Sequence, residues 1–336
     1  MNVHTVGVTA GTIAVLTLVT FSPAAPRGPA LTVSQTAFHV DGRQQFLLGV
    51  SLFDALGPTP PRDRDLDALR DWGVTIVRVW AHWQEPIYRA DGTLTAQGRS
   101  RLLRLAGRLQ TRGLILELVL LRPGQLPGQP SAVFGSEAAR VRSVQSMTSA
   151  LIDFRNVFFD LYNEHDHPAG PISHAAARAL RDAVKAIDAG RVVTISSTEY
   201  HLVTADGSVG QTEARNVREE AGREPNDVAV DVVAPHFPRT EEWAASTGKR
   251  IAAVRSALDQ IGRRLPIYLN EERRANPPAV IAPGAYQRAY MEARQAGAAG
   301  WVFHTAAGFS LDKGPFVDAL APDERAGLSR LVGKDR

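Results

Sequence analysis

The sequence contains no cysteine among its 336 residues. A disulfide framework, a thiolate metal site and a cysteine nucleophile are therefore excluded. Secretion remains possible, because a domain of about 300 residues can bury enough surface without disulfides. The dinucleotide-binding pattern GxGxxG is missing after the first predicted strand, where the sequence reads GVSLFDALG, and no HExxH zinc motif occurs. The simplest signatures of thiol, dinucleotide and zinc-peptidase chemistry are thus absent.

Blocks of like charge are absent too. The formal net charge is +3 and the isoelectric point is about 9.4, but arginines and carboxylates are interspersed along the helical segments. Without a basic stripe or interleaved aromatic residues, we expect no nucleic-acid partner. The hydrophobic content of 44% and charged content of 22% are typical of a folded globular protein, which we expect to be a monomer.

The first residues resemble an export signal. Val6 to Phe21 is an uncharged run of apolar and small residues, and SPAAPRGPA follows it. This order matches the apolar region and cleavage zone of a secretory signal peptide, although MNVHT carries no lysine or arginine. A run of about 16 residues is close to the lower limit for a spanning helix, so an uncleaved anchor is the alternative. We expect residues 1–30 to be a signal peptide or anchor with its linker, and residues 31–336 to be one catalytic domain. The protein would be secreted or periplasmic, or anchored facing outside the cytoplasm.

Eight apolar runs alternate with eight helical candidates after a short hairpin predicted at Asp41-Gly42. We predict strands at 46–53, 74–83, 113–121, 156–166, 191–198, 231–237, 266–271 and 299–305. The strand ends are roughly 30 to 40 residues apart, which suits one strand and one helix per unit. The pattern predicts a closed (β/α)8 TIM barrel with a short N-terminal β-hairpin. An open doubly wound sheet is the alternative, but its phosphate-binding motif is the one that is missing.

Polar residues at the strand ends are the candidates for chemistry, because a (β/α)8 barrel builds its active site there. The fourth run, NVFFDLYNEHD, stops on Asn163 and Glu164, and the seventh, PIYLNE, ends on Glu271. Two carboxylates suit glycosidic bond cleavage, and tryptophan faces stack on sugars. The whole set of candidates is Arg78, His82, Asn163, Glu164, His236, Glu271 and Trp301.

This combination resembles the glycoside hydrolases of clan A, in particular the family 5 cellulases and mannanases, over nearly the whole chain from Phe38 onward. The resemblance implies a retaining glycosidase that cleaves β-linked polysaccharides or oligosaccharides by double displacement. Glu164 would be the general acid and base, and Glu271 the nucleophile. No cofactor and no metal are expected, and the partner would be the carbohydrate substrate.

The resemblance also implies supporting roles. Asn163 would bind the sugar 2-hydroxyl, and Arg78 would keep the nucleophile ionised. His236 would line the subsite or orient the acid. His82 would contribute to substrate binding, and Trp301 would form the floor under the sugar.

The chain departs from the family pattern at two places. Family members usually carry a tyrosine two residues after the strand-six histidine, and here that position is Pro238. Arg239 could supply part of the missing polar support. The nucleophile is usually followed by an aromatic residue and glycine, whereas Glu272, Arg273 and Arg274 follow Glu271. Glu272 is therefore the alternative nucleophile.

Two other functions stay open on the sequence. The departures suit a non-catalytic carbohydrate-binding barrel. The cluster His165, Asp166 and His167 after Glu164 contains metal-ligand types, which leaves a metal-dependent hydrolase as a weaker alternative. The sugar and linkage would be set by loops such as 121–134 and 200–225.

Overall fold

The computed structural model describes residues 28–123, 134, 136–198, 211–240, 242–274, 281–282 and 284–332. Residues 1–27 of the expected signal segment lie outside the described residues, as does most of the loop 121–134 and the first part of the loop 200–225. Within the described ranges, no helix is both long and apolar enough to cross a membrane.

A small antiparallel sheet precedes the barrel. It consists of β1 (Leu31–Ser34), β2 (Ala37–Val40) and β3 (Arg43–Gln45). The predicted hairpin is β2 and β3, which turn at Asp41-Gly42 with positive φ at both residues. A second turn, with φ of 51° at Gln35, adds β1 to this hairpin. The structure therefore has one more strand here than the sequence predicted.

Eight parallel strands then form the barrel. They are β4 (Leu47–Ser51), β5 (Ile76–Trp80), β6 (Ile115–Val119), β7 (Val157–Asp160), β8 (Val193–Ser197), β9 (Val232–Pro235), β10 (Tyr268–Leu269) and β11 (Gly300–Phe303). Their order in the sheet is β10-β11-β4-β5-β6-β7-β8-β9. A parallel bridge between Val233 and Ile267 joins the two ends. The predicted (β/α)8 barrel is confirmed.

Helices cover the outside of this sheet. Between the strands lie α1 (Asp63–Asp71), α2 (Ala96–Gln110), α3 (Glu137–Ala150), α4 (His174–Ile187), α5 (Gln211–Ala221), α6 (Trp243–Gln260) and α7 (Ala285–Gln295), and α8 (Phe316–Ala319) and α9 (Pro322–Val332) follow β11. The hydroxyls of Thr95, Ser136 and Ser173 accept hydrogen bonds from backbone N–H groups in the first turns of α2, α3 and α4. These caps satisfy donors that a helix start leaves unpaired and so fix where each helix begins.

Side-chain alternation along the strands separates two cores. Outward-facing residues pack against the helices. Inward-facing residues form an apolar floor that includes Ile76, Phe158 and Tyr268. Phe38 of β2 closes this floor from below, with its ring 5.5 Å from that of Tyr268 and 5.9 Å from that of Phe158. The inward residues that come next toward the carboxyl ends of the strands are polar, and they position the site.

Candidate active site

Arg78 occupies the centre of the barrel above the apolar floor. Its fully buried guanidinium contacts three carboxylates, at 3.0 Å for Glu117, 3.0 Å for Asp160 and 2.9 Å for Glu271. Burial acts against this charge, but the carboxylates of Glu117, Glu271 and Asp160 raise the pKa of Arg78. Arg78 therefore remains a permanent cation that holds residues of three other strands or strand ends together.

Glu117 and Asp160 were missed by the sequence prediction. Each lies inside an apolar strand, ILELV or VFFD, rather than after it. Glu117 also accepts hydrogen bonds from the Tyr268 hydroxyl at 2.6 Å and the Asn270 amide at 2.8 Å. Burial raises the pKa of Glu117 to about 7 despite the attraction of Arg78. The polar layer thus carries a carboxyl group that titrates near neutral pH.

Glu271 is held through both carboxylate oxygens. Oε2 accepts from Arg78, and Oε1 accepts from Arg239 Nη2 at 2.8 Å. Burial works against ionisation, but the permanently charged guanidiniums of Arg239 and Arg78 hold the pKa of Glu271 well below its usual range. Arg239 therefore supplies polar support to the Glu271 carboxylate. Glu271 is ionised at any pH near neutrality.

His304 follows β11 and lies beside the Glu271 carboxylate, with its Nε2 3.5 Å from Oε1. Arg274 Nη1 lies 2.8 Å from Nε2, and because a guanidinium only donates, Nε2 accepts. The hydrogen-bond network therefore assigns the proton to Nδ1, which donates to the Ser51 hydroxyl at 3.1 Å. Burial lowers the pKa of His304 well below its usual range, in keeping with a neutral ring.

Glu164 lies in the turn after β7, with 14% of its side chain exposed. Its backbone has φ of 53°, in the left-handed region that residues other than glycine rarely adopt. Such a conformation costs on the order of 1 kcal/mol or more and persists where neighbours impose it. Here the next residue, His165, donates its N–H to the Ser196 carbonyl at 3.0 Å.

His236 connects Glu164 to the polar layer. Its Nδ1 lies 3.3 Å from Glu164 Oε1, and its Nε2 lies 3.1 Å from Asn270 Oδ1. The Asn270 amide nitrogen donates to Glu117, so Oδ1 accepts and His236 Nε2 carries a proton. A hydrogen bond between His236 Nδ1 and Glu164 Oε1 then requires one further proton, bound to one of these two atoms. Glu164 and His236 can therefore share a proton at the carboxyl group that lines the cavity.

The two predicted carboxylates meet. One oxygen of Glu164, one of Glu271 and one ring nitrogen of His236 all lie within 4.8 Å of one another. A cavity of about 430 Å³ opens beside them. Its aromatic lining residues are Phe53, Trp80, Trp83 and Phe309, and its polar ones include Asn163, Glu164, Glu271 and the three arginines Arg122, Arg239 and Arg274. A larger cavity of about 1250 Å³ is lined by residues such as Val33 and Arg263 and by none of the predicted site residues.

Of the five predicted substrate-binding residues, only Asn163 lines the cavity. Arg78 and His236 are buried and contact the two glutamates instead. Trp301 and His82 are buried apart from them.

Trp301 is fully buried, and its ring lies 6.0 Å from that of Tyr290 on α7. Alternation along β11 points Val302 and His304 inward and Trp301 outward, so Trp301 packs against the helices and does not form a floor of this cavity. His82 is also buried, with its ring 5.8 Å from that of Tyr88, and does not line the cavity. Burial lowers the pKa of His82 to about 3, so it packs as a neutral ring.

Glu272 differs from Glu271 in its surroundings. It is buried, does not line the cavity, and its Oε1 has no hydrogen-bond partner among the described residues. Burial raises the pKa of Glu272 to about 7, against the opposing charge of Arg250. Of the two adjacent glutamates, Glu271 is the one that meets Glu164.

Replacing Glu272 by glutamine is expected to stabilise the protein at high pH. Because the pKa of Glu272 is raised in the folded protein, the free energy of unfolding does not suffer from this group below its usual value of 4.5. It falls as the pH rises from there through about 7, where the buried carboxyl group loses its proton. Glutamine mimics the protonated form, so the gain should be near zero at pH 4.5 and at most roughly 3 kcal/mol at pH 8. Urea unfolding at both pH values measures it. Glu242→Gln, which changes an exposed glutamate without a side-chain cap bond, is the control. An equal gain at both pH values would contradict the assignment.

The chain matches no protein-family model and no curated protein sequence. Its fold is shared with several solved structures. A β-1,4-D-mannanase from Cryptopygus antarcticus is 16% identical, with a TM-score of 0.63 over 92% of this chain and 96% of its own. A glycoside hydrolase family 5 enzyme from Prevotella bryantii is 15% identical, with a TM-score of 0.61 over 86% and 96%.

A third solved structure is an exo-β-1,4-mannosidase from an Opitutaceae bacterium, 18% identical with a TM-score of 0.59. It is matched over 77% of this chain, which spans about half of that protein, 52% of its length. At these identities the likeness shows the fold, a (β/α)8 barrel that this chain has in common with glycoside hydrolases.

Proposed function

We propose that this protein is a retaining glycoside hydrolase that cleaves β-glycosidic bonds. The observation that carries the proposal is the approach of Glu164 and Glu271, with oxygen atoms within 4.8 Å beside an open cavity. Carboxyl groups about 5 to 5.5 Å apart are characteristic of retaining enzymes, whereas inverting enzymes keep about 6.5 to 9.5 Å for a water molecule. The close approach of the two carboxylates favours the retaining geometry.

The reaction runs in two displacements. The Glu271 carboxylate attacks the anomeric carbon and forms a glycosyl ester, while the bond to the leaving oxygen breaks and Glu164 donates its proton to that oxygen. In the second step Glu164 takes a proton from water, whose oxygen attacks the anomeric carbon and releases Glu271. The proton shared between Glu164 and His236 supplies the first step, and the ionised state of Glu271 prepares the nucleophile.

The remaining polar groups support binding. The Asn163 oxygen accepts from Arg78 at 2.6 Å, which leaves the amide nitrogen to donate to a sugar hydroxyl. Trp80 and Trp83 both line the cavity. The Trp80 ring is stacked on Phe53 at 3.8 Å and lies 4.3 Å from the Arg78 guanidinium. The partly exposed Trp83 is therefore the one that can contact a sugar ring.

The positive charge of the cavity lining adds a class of candidate substrates. Three guanidinium groups, those of Arg122, Arg239 and Arg274, line it together with two glutamates. We therefore include two classes of candidate substrate. One is the neutral β-1,4-linked mannose sugars indicated by the names of the similar mannosidase and mannanase, and the other is β-linked sugars that carry a carboxylate or another anionic group.

Proton NMR of the first hydrolysis products tests the proposal. The full chain is incubated with β-linked oligosaccharides, both neutral and uronate-containing, and the anomeric signal is followed before mutarotation. We expect the β anomer to appear first. If the α anomer appears first, the enzyme inverts and the proposed mechanism is wrong. Binding of these glycans without any product would favour a non-catalytic carbohydrate-binding barrel instead.

A further inference from the structure

A second cluster of ligand-type side chains lies outside the proposed catalytic cavity. His165 belongs to the turn after β7, His174 is the first residue of α4, and Glu220 lies in α5. One donor atom from each residue lies within 4.8 Å of the other two. His165 and Glu220 are buried, with 2% and 0% of their side chains exposed. None of the three lines the cavity that holds Glu164 and Glu271.

The contacts orient His174 as a ligand. Its Nδ1 lies 3.0 Å from Glu219 Oε2, and because a carboxylate only accepts, Nδ1 carries the proton. Nε2 then presents a lone pair, and this buried atom has no hydrogen-bond partner among the described residues. A metal-binding histidine typically donates its other N–H to a carboxylate in this way. The ring centroids of His165 and His174 are 5.2 Å apart.

We propose that His165, His174 and Glu220 bind a divalent transition-metal ion, with zinc the best match. Zinc takes imidazole nitrogen and carboxylate oxygen ligands in a four-coordinate site, and a water molecule would fill the fourth position. Two imidazoles favour zinc over magnesium or calcium, which prefer oxygen ligands. The carboxylates of Glu220 in the site and Glu219 behind His174 balance the charge of a divalent cation.

In the metal-free site, His165 and Glu220 contact each other directly. His165 Nε2 lies 2.8 Å from Glu220 Oε1, a distance at which a proton joins the two atoms. A metal ion at that nitrogen replaces this proton, so binding releases a proton and weakens at low pH. The sequence singled out His165 as a metal-ligand type, but it did not indicate His174 or Glu220 as its partners. Glu220 lies on α5 and meets the two histidines only in the folded barrel.

The consequence of metal binding is local. His165 directly follows Glu164, whose backbone is held in the left-handed region. A metal ion would connect this turn to α4 and α5 and restrict the position of Glu164. The metal acts as a positioning element and takes no part in bond cleavage.

Titration of the full chain with zinc chloride after treatment with EDTA tests the proposal. We expect isothermal titration calorimetry to give one zinc ion per chain and the melting temperature to rise on binding. The cobalt-loaded protein should show the visible absorption of a tetrahedral site, a measurement that needs no variant. Failure of the unmodified chain to bind zinc or cobalt would overturn the proposal.

Variants locate the ion. Glu219→Gln changes a partly exposed side chain outside the first coordination sphere and should weaken zinc binding about 10-fold to 100-fold. His174→Ala should weaken it further and remove the cobalt absorption. His39→Ala is the matched control, since His39 is a partly exposed histidine on β2. Equal zinc affinity in His174→Ala and the unmodified protein would show that the ion binds elsewhere and would also overturn the proposal.

Discussion

Glu271→Ala is expected to lower kcat on the order of 10⁴-fold or more, and sodium azide should restore part of the activity. Without Glu271 no glycosyl ester can form. The truncation leaves a space between Arg78 and Arg239, two cations that now hold the carboxylate through its two oxygens. An azide anion fits that space and charge, and it can attack the anomeric carbon in place of the carboxylate. The product would be a glycosyl azide of inverted configuration, which NMR identifies.

The control is Glu242→Gln, which changes an exposed glutamate at the start of α6 and should keep full activity. Unfolding curves of both variants establish that loss of activity is not loss of fold. An active Glu271→Ala variant, or a folded and inactive one that azide does not rescue, would argue against nucleophilic catalysis by this residue.

Arg78→Met is expected to give the largest loss of stability of any single substitution in the site. Removing one partner of a buried ion pair typically costs about 3 to 5 kcal/mol, because a charge is left buried without compensation. Arg78 compensates three carboxylates at once, and its side chain and those of Glu117 and Asp160 have no solvent exposure. We therefore expect a loss of at least about 4 kcal/mol in urea unfolding at pH 7.

If Arg78→Met does not accumulate in folded form, a second variant keeps the prediction testable. The double variant with Arg78→Met and Glu117→Gln removes one of the buried carboxylates that have lost their cation, and it should be more stable than Arg78→Met alone. The same comparison at pH 5 should show a smaller difference, because the pKa of Glu117 is already raised to about 7 by burial in the presence of Arg78. A loss below about 1 kcal/mol for the single variant would mean that the carboxylates are satisfied without the guanidinium.

The barrel could be predicted from the sequence because each strand is an apolar run bounded by turn and helix signals. The places of Glu164 and Glu271 after the carboxyl ends of two strands could be predicted for the same reason, since each ends such a run. Glu117 and Asp160 could not be singled out in this way, because each is flanked by apolar residues that mark the segment only as buried. The available clue was parity, the alternation of side chains between the two faces of a strand. Arg78 points into the barrel, and the carboxylates that pair with a buried arginine must point inward from neighbouring strands.

Parity also explains the position of Trp301. Trp301 is the second residue of β11 and faces outward, whereas His304, directly after the strand, faces inward. A shift of one residue along a strand moves a side chain to the opposite face of the sheet. Assigning Trp301 to the inside or the outside of the barrel therefore depended on knowing which residue of β11 starts the alternation. The pairing of His165 with Glu220 had no signal at all, since their contact depends on how α5 packs on the barrel.

The N-terminal sheet has a consequence for how the chain is made. Phe38 leaves the ribosome early, but its ring partners Phe158 and Tyr268 follow much later, and the Leu31 N–H donates to the carbonyl of Arg155. Until the seventh barrel strand has been synthesised, Phe38 lacks the Tyr268 ring and the apolar floor of the barrel is incomplete. Such long-range contacts slow folding and expose the unfinished chain to aggregation. Chains that stop before Tyr268 should therefore be insoluble rather than partly folded.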